Sequence, residues 1–274
     1  MRIAVVAPST PILAGTAQRV LALAAQAAPA VEIVFHPQCF LSHHHFAGDD
    51  STRAAALVAA ANDPAFDAIW FARGGYGSCR IAADAIDRLG PAARAKAWLG
   101  YSDAGFLLAG LYRAGFPDLA HGPMPQDIQR EGGEAAVRRA LAWLTGRSAA
   151  ALEPGLGPQP AVAFNITVLG NLLGTSLQPD LAGHILLLED VSEYSYRTDR
   201  AMFHLTADYN IRKVAGIRLG RVSDVPSNDP EFGEGEEEVV RYWCARAAID
   251  YLGRADIGHD AANKVVPFGK PSDR

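Results

Sequence analysis

The sequence is poor in cysteine and has no surplus of basic residues. It contains three cysteines, and 25 Lys and Arg stand against 30 Asp and Glu, which gives a formal net charge of −5. Cys39, Cys79 and Cys244 have no paired spacing, so they predict no disulfide framework and indicate a reducing compartment. A net negative chain has no general attraction for nucleic acid or for an anionic membrane surface. We therefore expect no nucleic-acid partner and no membrane partner.

Long apolar runs are also missing. The apolar run after Met1 is short and ends at Pro8, whereas the core of a signal peptide needs about 7–15 apolar residues. No later stretch approaches the roughly 18–20 apolar residues of a membrane-spanning helix. We expect a soluble protein in the cytoplasm.

What the first half does contain is an alternation of short β-rich runs and Ala/Leu-rich helical patterns. Strands that alternate with helices predict a mostly parallel sheet covered on both faces, with ligands at the carboxyl ends of the strands. The sequence thus predicts an α/β domain over residues 1–145. Its predicted elements are strands at Ile3–Val6, Val31–Phe35, Asp67–Ala72 and Ala97–Tyr101, and helices at Ala14–Ala28 and from a cap at Asp50-Ser51 to Asn62.

Residues 146–160 read GRSAAALEPGLGPQP, which has no periodic apolar face and predicts a linker. Residues 161–274 would then form a second domain, with a cleft between the two. Its predicted elements are helices around Val168–Leu173, over Tyr196–Asp208 and from an acidic stretch to Tyr251, and strands at His184–Leu188 and Lys213–Leu219.

The segment Gly100-Tyr101-Ser102-Asp103-Ala104 joins a predicted strand directly to a predicted helix. Small residues two positions before and after a serine in such a turn are typical of a nucleophile elbow. The free N–H groups at the start of the helix could bind a developing oxyanion. A serine that simply caps the helix explains the same segment, and the residues alone leave both interpretations open.

A glycine-rich loop, Arg73-Gly74-Gly75-Tyr76-Gly77-Ser78, also lies between a strand and a helix. Glycines let the backbone approach a ligand closely, as phosphate loops and oxyanion holes require. The spacing matches neither a dinucleotide fingerprint nor a Walker loop. Beside a serine elbow, an oxyanion hole is the better interpretation.

A nucleophilic serine needs a base, and the base needs an orienting group. His259 follows Gly258, which lets the backbone turn sharply before the imidazole, although a surface histidine in a polar turn would look the same. Glu189 ends an apolar run, where a carboxylate is half-buried and needs a partner; an ordinary strand-end acid is the alternative. His43–His45 lack metal-ligand spacing and predict a surface loop, so no metal is expected.

Six motifs in order resemble the LD-carboxypeptidases, the muramoyltetrapeptide carboxypeptidases, with the microcin-immunity peptidases as a sister branch. They are RGGYG at 73–77, GYSD at 100–103, HGPM at 121–124, LLGT followed by PD at 172–180, LLLEDV with YRTDR at 186–200, and GH followed by VPFG at 258–269.

The resemblance implies a flavodoxin-like N-terminal domain, a smaller β-rich C-terminal domain and a homodimer. It also implies a serine carboxypeptidase without metal or cofactor, with Ser102, Glu189 and His259 as its triad. The oxyanion hole would be formed by the backbone amides of Gly75 and Asp103. The implied substrate is a murein tetrapeptide, cleaved between the L-centre of a diamino acid and the terminal D-alanine during peptidoglycan recycling.

Two other functions remain open at this point. A microcin-type immunity peptidase would cleave an acyl-aminoacyl adenylate and would need an aromatic platform for the nucleobase. A non-catalytic α/β domain would bind a small molecule at the RGGYG loop, and it predicts that Ser102 and His259 lie far apart. The triad instead requires that His259 and Glu189, from the second domain, meet Ser102 at the domain interface.

Overall fold

The computed structural model describes residues 1–270 and contains two β-sheets with helices packed against them. The strands in this range are β1 (Arg2–Val6), β2 (Glu32–Phe35), β3 (Ala68–Phe71), β4 (Ala97–Gly100), β5 (Leu119–His121), β6 (Ala161–Asn165), β7 (Ile185–Val191), β8 (Gly216–Ser223), β9 (Tyr251–Arg254) and β10 (Val266–Pro267). The helices are α1 (Ala14–Ala27), α2 (Asp50–Asn62), α3 (Ser78–Asp87), α4 (Pro91–Arg94), α5 (Gly105–Arg113), α6 (Gly133–Gly146), α7 (Ile166–Leu172), α8 (Ser195–Ala207) and α9 (Glu236–Ala247).

The first sheet has the strand order β10-β5-β4-β3-β1-β2. Strands β1 to β5 are parallel, and β10 pairs with β5 in the antiparallel direction. The order 2-1-3-4-5 is that of flavodoxin-like sheets. Every residue of β3 and β4 is buried, because a parallel sheet covered on both faces needs apolar side chains on both. The predicted fold class of this part is confirmed.

The second, smaller sheet has the order β6-β7-β8-β9, and all its strands are parallel. This confirms a separate sheet in the C-terminal part of the chain. Strand β10 follows β9 along the chain yet joins the first sheet, so the C-terminal segment returns to the N-terminal part. The division into 1–145, a linker at 146–160 and 161–274 stays a prediction.

Some element bounds differ from the sequence prediction. The cap of α2 is Asp49, whose carboxylate accepts a hydrogen bond from the Thr52 N–H at 2.7 Å, rather than Asp50-Ser51. Helix α9 ends at Ala247 instead of reaching Tyr251, since Ala248 is left-handed at φ 56°. The chain then forms β9 by pairing with β8. Such pairing is a tertiary contact that local propensity does not encode.

One apolar core joins the two parts of the molecule. It contains Trp98 and Leu107 from the first part together with Phe164 and Leu188 from the second. The hydroxyl of Tyr112 on α5 also lies 2.7 Å from Nε2 of His184, just before β7. This shared core fixes the second sheet against the first. In residues 1–270, no helix combines the length and the apolar character needed to cross a bilayer.

Candidate active site

Ser102 lies in a sharp turn between β4 and α5. Its backbone is left-handed, with φ 59°, a conformation that few residues with a side chain adopt. A Cβ on Gly100 would lie 2.6 Å from Cδ2 of Phe71 and 3.2 Å from Cβ of Ala104. Packing therefore requires glycine at position 100. This is the geometry of a nucleophile elbow.

The structure brings Ser102, His259 and Glu189 into one chain of contacts. Nε2 of His259 lies 2.9 Å from Oγ of Ser102, and Nδ1 lies 2.5 Å from Oε2 of Glu189. A carboxylate facing Nδ1 holds the proton there, which leaves Nε2 able to accept the serine proton. The interpretation of a non-catalytic domain with Ser102 and His259 far apart is wrong. Catalytic roles for the three residues stay a prediction.

Burial and charge act in opposite directions on His259. Both side chains of the pair are buried, with 7% of His259 and none of Glu189 exposed. Burial lowers the pKa of the imidazole, but the charge and the hydrogen bond of Glu189 outweigh it, so the pKa of His259 is raised overall. The ring of Tyr101 packs against the imidazole with its centroid 4.8 Å away. Arg130 and Asp127 have smaller, opposite effects on this pKa, so Glu189 is the charged group that acts most strongly on the base.

The segment that carries His259 is fixed by Arg221 of β8. The Arg221 guanidinium pairs with Asp256 at 2.7 Å and forms two hydrogen bonds to the Asp260 carboxylate. Gly258 allows this approach, since a Cβ there would lie 2.9 Å from Cβ of Arg221. The sequence analysis missed Arg221, because its partners are 35 and 39 residues away along the chain.

The glycine-rich loop lies directly against the serine. A Cβ on Gly74 would be 2.8 Å from Oγ of Ser102 and 3.5 Å from the backbone N of Asp103. Gly75 has φ 103°, and a Cβ there would lie 2.6 Å from the hydroxyl of Thr10. The loop and the start of the turn before α5 thus border one space around the hydroxyl. That the N–H groups of Gly75 and Asp103 bind an oxyanion stays a prediction.

The side chain of Asp103 has a role that the sequence did not indicate. Its buried carboxylate accepts hydrogen bonds from the Ser9 hydroxyl and from the Ser78 N–H at 2.8 Å. The Ser78 hydroxyl in turn donates to the Asp103 carbonyl at 2.5 Å. Burial raises the pKa of Asp103 despite these bonds. The carboxylate therefore connects the loops after β1, β3 and β4.

A cavity of about 490 Å³ opens over Ser102 and His259. The glycine-rich loop and the 124–130 segment border it from the first part of the molecule, and Val191, Ser192 and Asp224 border it from the second. Its volume is in the usual range for small-ligand sites, about 300–1,000 Å³. The cavity is large enough for a small ligand beside Ser102.

Within residues 1–270, no group of three or more His, Cys, Asp or Glu side chains is placed to hold a metal ion. His43, His44 and His45 lie in an exposed turn, where the backbone of His43 pairs with that of Phe46. This placement agrees with the predicted surface loop.

A two-sheet α/β protein with a serine in a strand-to-helix elbow, in contact with a histidine, has the architecture of a serine hydrolase. Comparison with known families gives the particular class. Residues 3–122 match the LD-carboxypeptidase N-terminal domain, and residues 160–273 match the LD-carboxypeptidase C-terminal domain. The chain belongs to the LD-carboxypeptidase family of serine carboxypeptidases.

A curated relative supports the family, and two solved structures match the fold. The chain is 31% identical over 252 residues to the murein tetrapeptide carboxypeptidase of Pseudomonas aeruginosa, covering 83% of this chain and 78% of the relative. The fold matches muramoyltetrapeptide carboxypeptidase from Oxalobacter formigenes with a TM-score of 0.78, 22% identity and coverage of 97% and 93% of the two chains. It also matches the microcin C7 self-immunity protein MccF with a TM-score of 0.79, 18% identity and coverage of 98% and 91%.

Proposed function

We propose that this chain is an LD-carboxypeptidase that removes the terminal D-alanine from murein tetrapeptides. The bond cleaved would join the L-centre of the diamino acid in the third position to that D-alanine. The observation that carries the proposal is the contact chain from Ser102 through His259 to Glu189. The 31% identity to a murein tetrapeptide carboxypeptidase supports the choice of substrate.

The mechanism would be acyl transfer. His259 accepts the proton of Ser102 as Oγ attacks the peptide carbonyl, and Glu189 orients and stabilises the imidazolium that forms. The N–H groups of Gly75 and Asp103 would bind the oxyanion. His259 then returns its proton to the leaving amine, and water releases the shortened peptide from Ser102. Base catalysis contributes about 10²–10⁴ in rate, and one oxyanion donor roughly 10²–10³.

The test is incubation of the purified protein with a murein tetrapeptide, followed by quantification of free D-alanine. We expect stoichiometric D-alanine and tripeptide. A tetrapeptide with L-alanine in the fourth position is the matched control, and its hydrolysis should be far slower. Release of L-alanine at an equal rate would contradict the proposed specificity.

The lining of the cavity supports this proposal over the microcin-type alternative. Within the described residues, the aromatic side chains that border the cavity are those of Tyr101 and His259, and Tyr101 is 2% exposed. Neither offers an open face on which a nucleobase could stack. The likeness to MccF is one of fold. Hydrolysis of an acyl-aminoacyl adenylate, but not of the tetrapeptide, would reverse this choice.

We further propose that the protein acts in peptidoglycan recycling, meets muropeptides in the cytoplasm and forms a homodimer. This location and this oligomeric state are further parts of the proposal. Fractionation of cells and light scattering of the purified protein test them separately from the chemistry.

A further inference from the structure

Two arginines border the cavity, Arg73 and Arg130. Arg73 belongs to the glycine-rich loop, and its guanidinium donates to the carbonyl of Pro11 at 3.2 Å. Arg130 belongs to the segment after β5, on the side where Tyr101 packs against His259. The cavity therefore presents one cation near the predicted oxyanion hole and another near the imidazole.

Arg130 is held in place by Asp127, whose carboxylate is buried. Asp127 accepts a hydrogen bond from Nε of Arg130 at 2.9 Å, from the Tyr101 hydroxyl at 2.7 Å and from the Met124 N–H at 2.8 Å. The Arg130 side chain is 37% exposed at the cavity. Asp127 binds Nε, and the guanidinium also interacts with Tyr101. The exposed part of the guanidinium faces the cavity and can bind a second carboxylate.

The chemistry of the reaction shows which side of the site needs a cation. His259 returns its proton to the leaving amine, so the nitrogen of the departing amino acid must lie beside Nε2. In a terminal amino acid, one Cα separates that nitrogen from the carboxylate. The carboxylate of the leaving group thus lies on the imidazole side, where Arg130 is fixed, and away from the oxyanion side, where Arg73 is fixed.

We propose that Arg130 is a specificity-determining residue that binds the terminal carboxylate of the leaving amino acid, and so restricts cleavage to the last peptide bond. The inference rests on the proposed function. It adds a reason why the enzyme acts as a carboxypeptidase: a peptide that continues beyond the cleaved bond has no carboxylate to offer to Arg130.

The experiment compares a murein tetrapeptide with the same peptide ending in a carboxamide. Wild type should prefer the free acid by roughly 10–10²-fold, which is the range for one hydrogen bond to a charged group. Arg130→Met should lose most of this preference by lowering kcat/KM for the acid alone. Arg130→Lys should keep part of it. Arg73→Met is the matched control and should keep the acid-to-amide ratio.

Binding to the Ser102→Ala protein, measured by calorimetry, separates this inference from the proposed function. There the free acid should bind more tightly than the amide, and the added Arg130→Met change should remove the difference. Equal binding of acid and amide to Ser102→Ala, or an acid preference that survives Arg130→Met, would overturn the inference. Absence of D-alanine release by wild type, with the binding difference intact, would instead overturn the proposed function.

Discussion

The backbone of Ser102 has a left-handed conformation, with φ 59°, and a side chain in that region costs about 1–2 kcal/mol. The surrounding contacts hold Ser102 in this conformation. As a result, Oγ points away from the sheet and toward Nε2 of His259. Strain at this residue and its reactivity therefore have the same origin. The two can be separated by substitutions that remove the hydroxyl and differ in backbone freedom.

We predict that Ser102→Ala and Ser102→Gly both lose activity by roughly 10⁴-fold or more, since each lacks the nucleophile. The two should differ in stability. Glycine adopts φ 59° without a Cβ penalty. The free energy of unfolding of Ser102→Gly should therefore be about 1 kcal/mol higher than that of Ser102→Ala. Chemical denaturation measures the difference. Residual activity of Ser102→Ala within a few-fold of wild type would exclude Ser102 as nucleophile.

Glu189 sets the protonation of His259, and this predicts a pH dependence. The base must be neutral, so activity is lost as the pH falls through the pKa of His259. Because that pKa is raised, the acid limb of kcat/KM should lie above the ordinary histidine value of about 6.5. Glu189→Gln removes the negative charge beside the imidazole. Burial then dominates and lowers the pKa of His259. The limb should then move to lower pH, while the maximal rate falls by about 10²–10⁴-fold.

The matched control is Glu193→Gln. Glu193 follows β7 as well, but it pairs with Arg197 at 3.5 Å and should leave the acid limb in place. An unchanged limb in Glu189→Gln would mean that Glu189 does not control the base.

At the scale of elements, the site consists of loops from the carboxyl ends of strands in both sheets. The elbow follows β4, the glycine-rich loop follows β3, and Glu189 lies near the end of β7. The turn between β9 and β10 supplies His259, and it has no regular structure of its own. Its position depends on side chains that bind it from neighbouring elements, and Arg221 of β8 is the first of these.

We predict that Arg221→Met lowers kcat by about 10–10²-fold with little change in KM, because a displacement of about 1 Å at the base can cost 10²-fold in rate. Arg221→Lys should be intermediate, since an ammonium cannot bind two carboxylates in the geometry of a guanidinium. Steady-state kinetics measures both variants. The control is Arg254→Met on β9, which removes an exposed pair with Glu236 at 3.5 Å.

A kcat for Arg221→Met equal to that of Arg254→Met would show that the His259 turn keeps its position without the two ion pairs. A rise in KM alone would indicate that Arg221 acts on substrate binding instead.

At the scale of the whole molecule, the sequence predicted the local features well and the pairings between distant segments poorly. The elbow at Ser102 was predictable because turn geometry limits which residues fit next to the serine. The sequence pattern predicts that helix α9 continues to Tyr251. The helix ends earlier because residues 251–254 form β9, which exists only through its pairing with β8. The hydrogen bonds from Ser9 to Asp103 and from Tyr101 to Asp127 depend on which loops meet, and sequence spacing does not contain that information.

The contact of His259 with Ser102 depends on how the two parts of the chain pack. Arg139 of α6, in the first part, donates to the carbonyls of Ala261 and Asn263 at 2.9 and 2.8 Å. The side chain of Asn263 accepts from the Gly258 N–H at 3.2 Å, next to His259. Arg139 thus connects the helix layer of the first sheet to the segment that carries the base.

We predict that Arg139→Met lowers kcat by about 10-fold or more while KM changes little, because the base is then less firmly placed over Ser102. It should also lower the free energy of unfolding by about 1 kcal/mol, since two partly buried carbonyls lose their donor. Arg138→Met is the matched control: Arg138 is on the same helix, and its pair with Glu134 at 3.9 Å is exposed. Such a pair contributes at most about 1 kcal/mol. If the two variants show the same kcat, the packing of α6 does not position His259, and contacts such as the Arg221 pairs and the Glu189 bond hold the base over the serine without it.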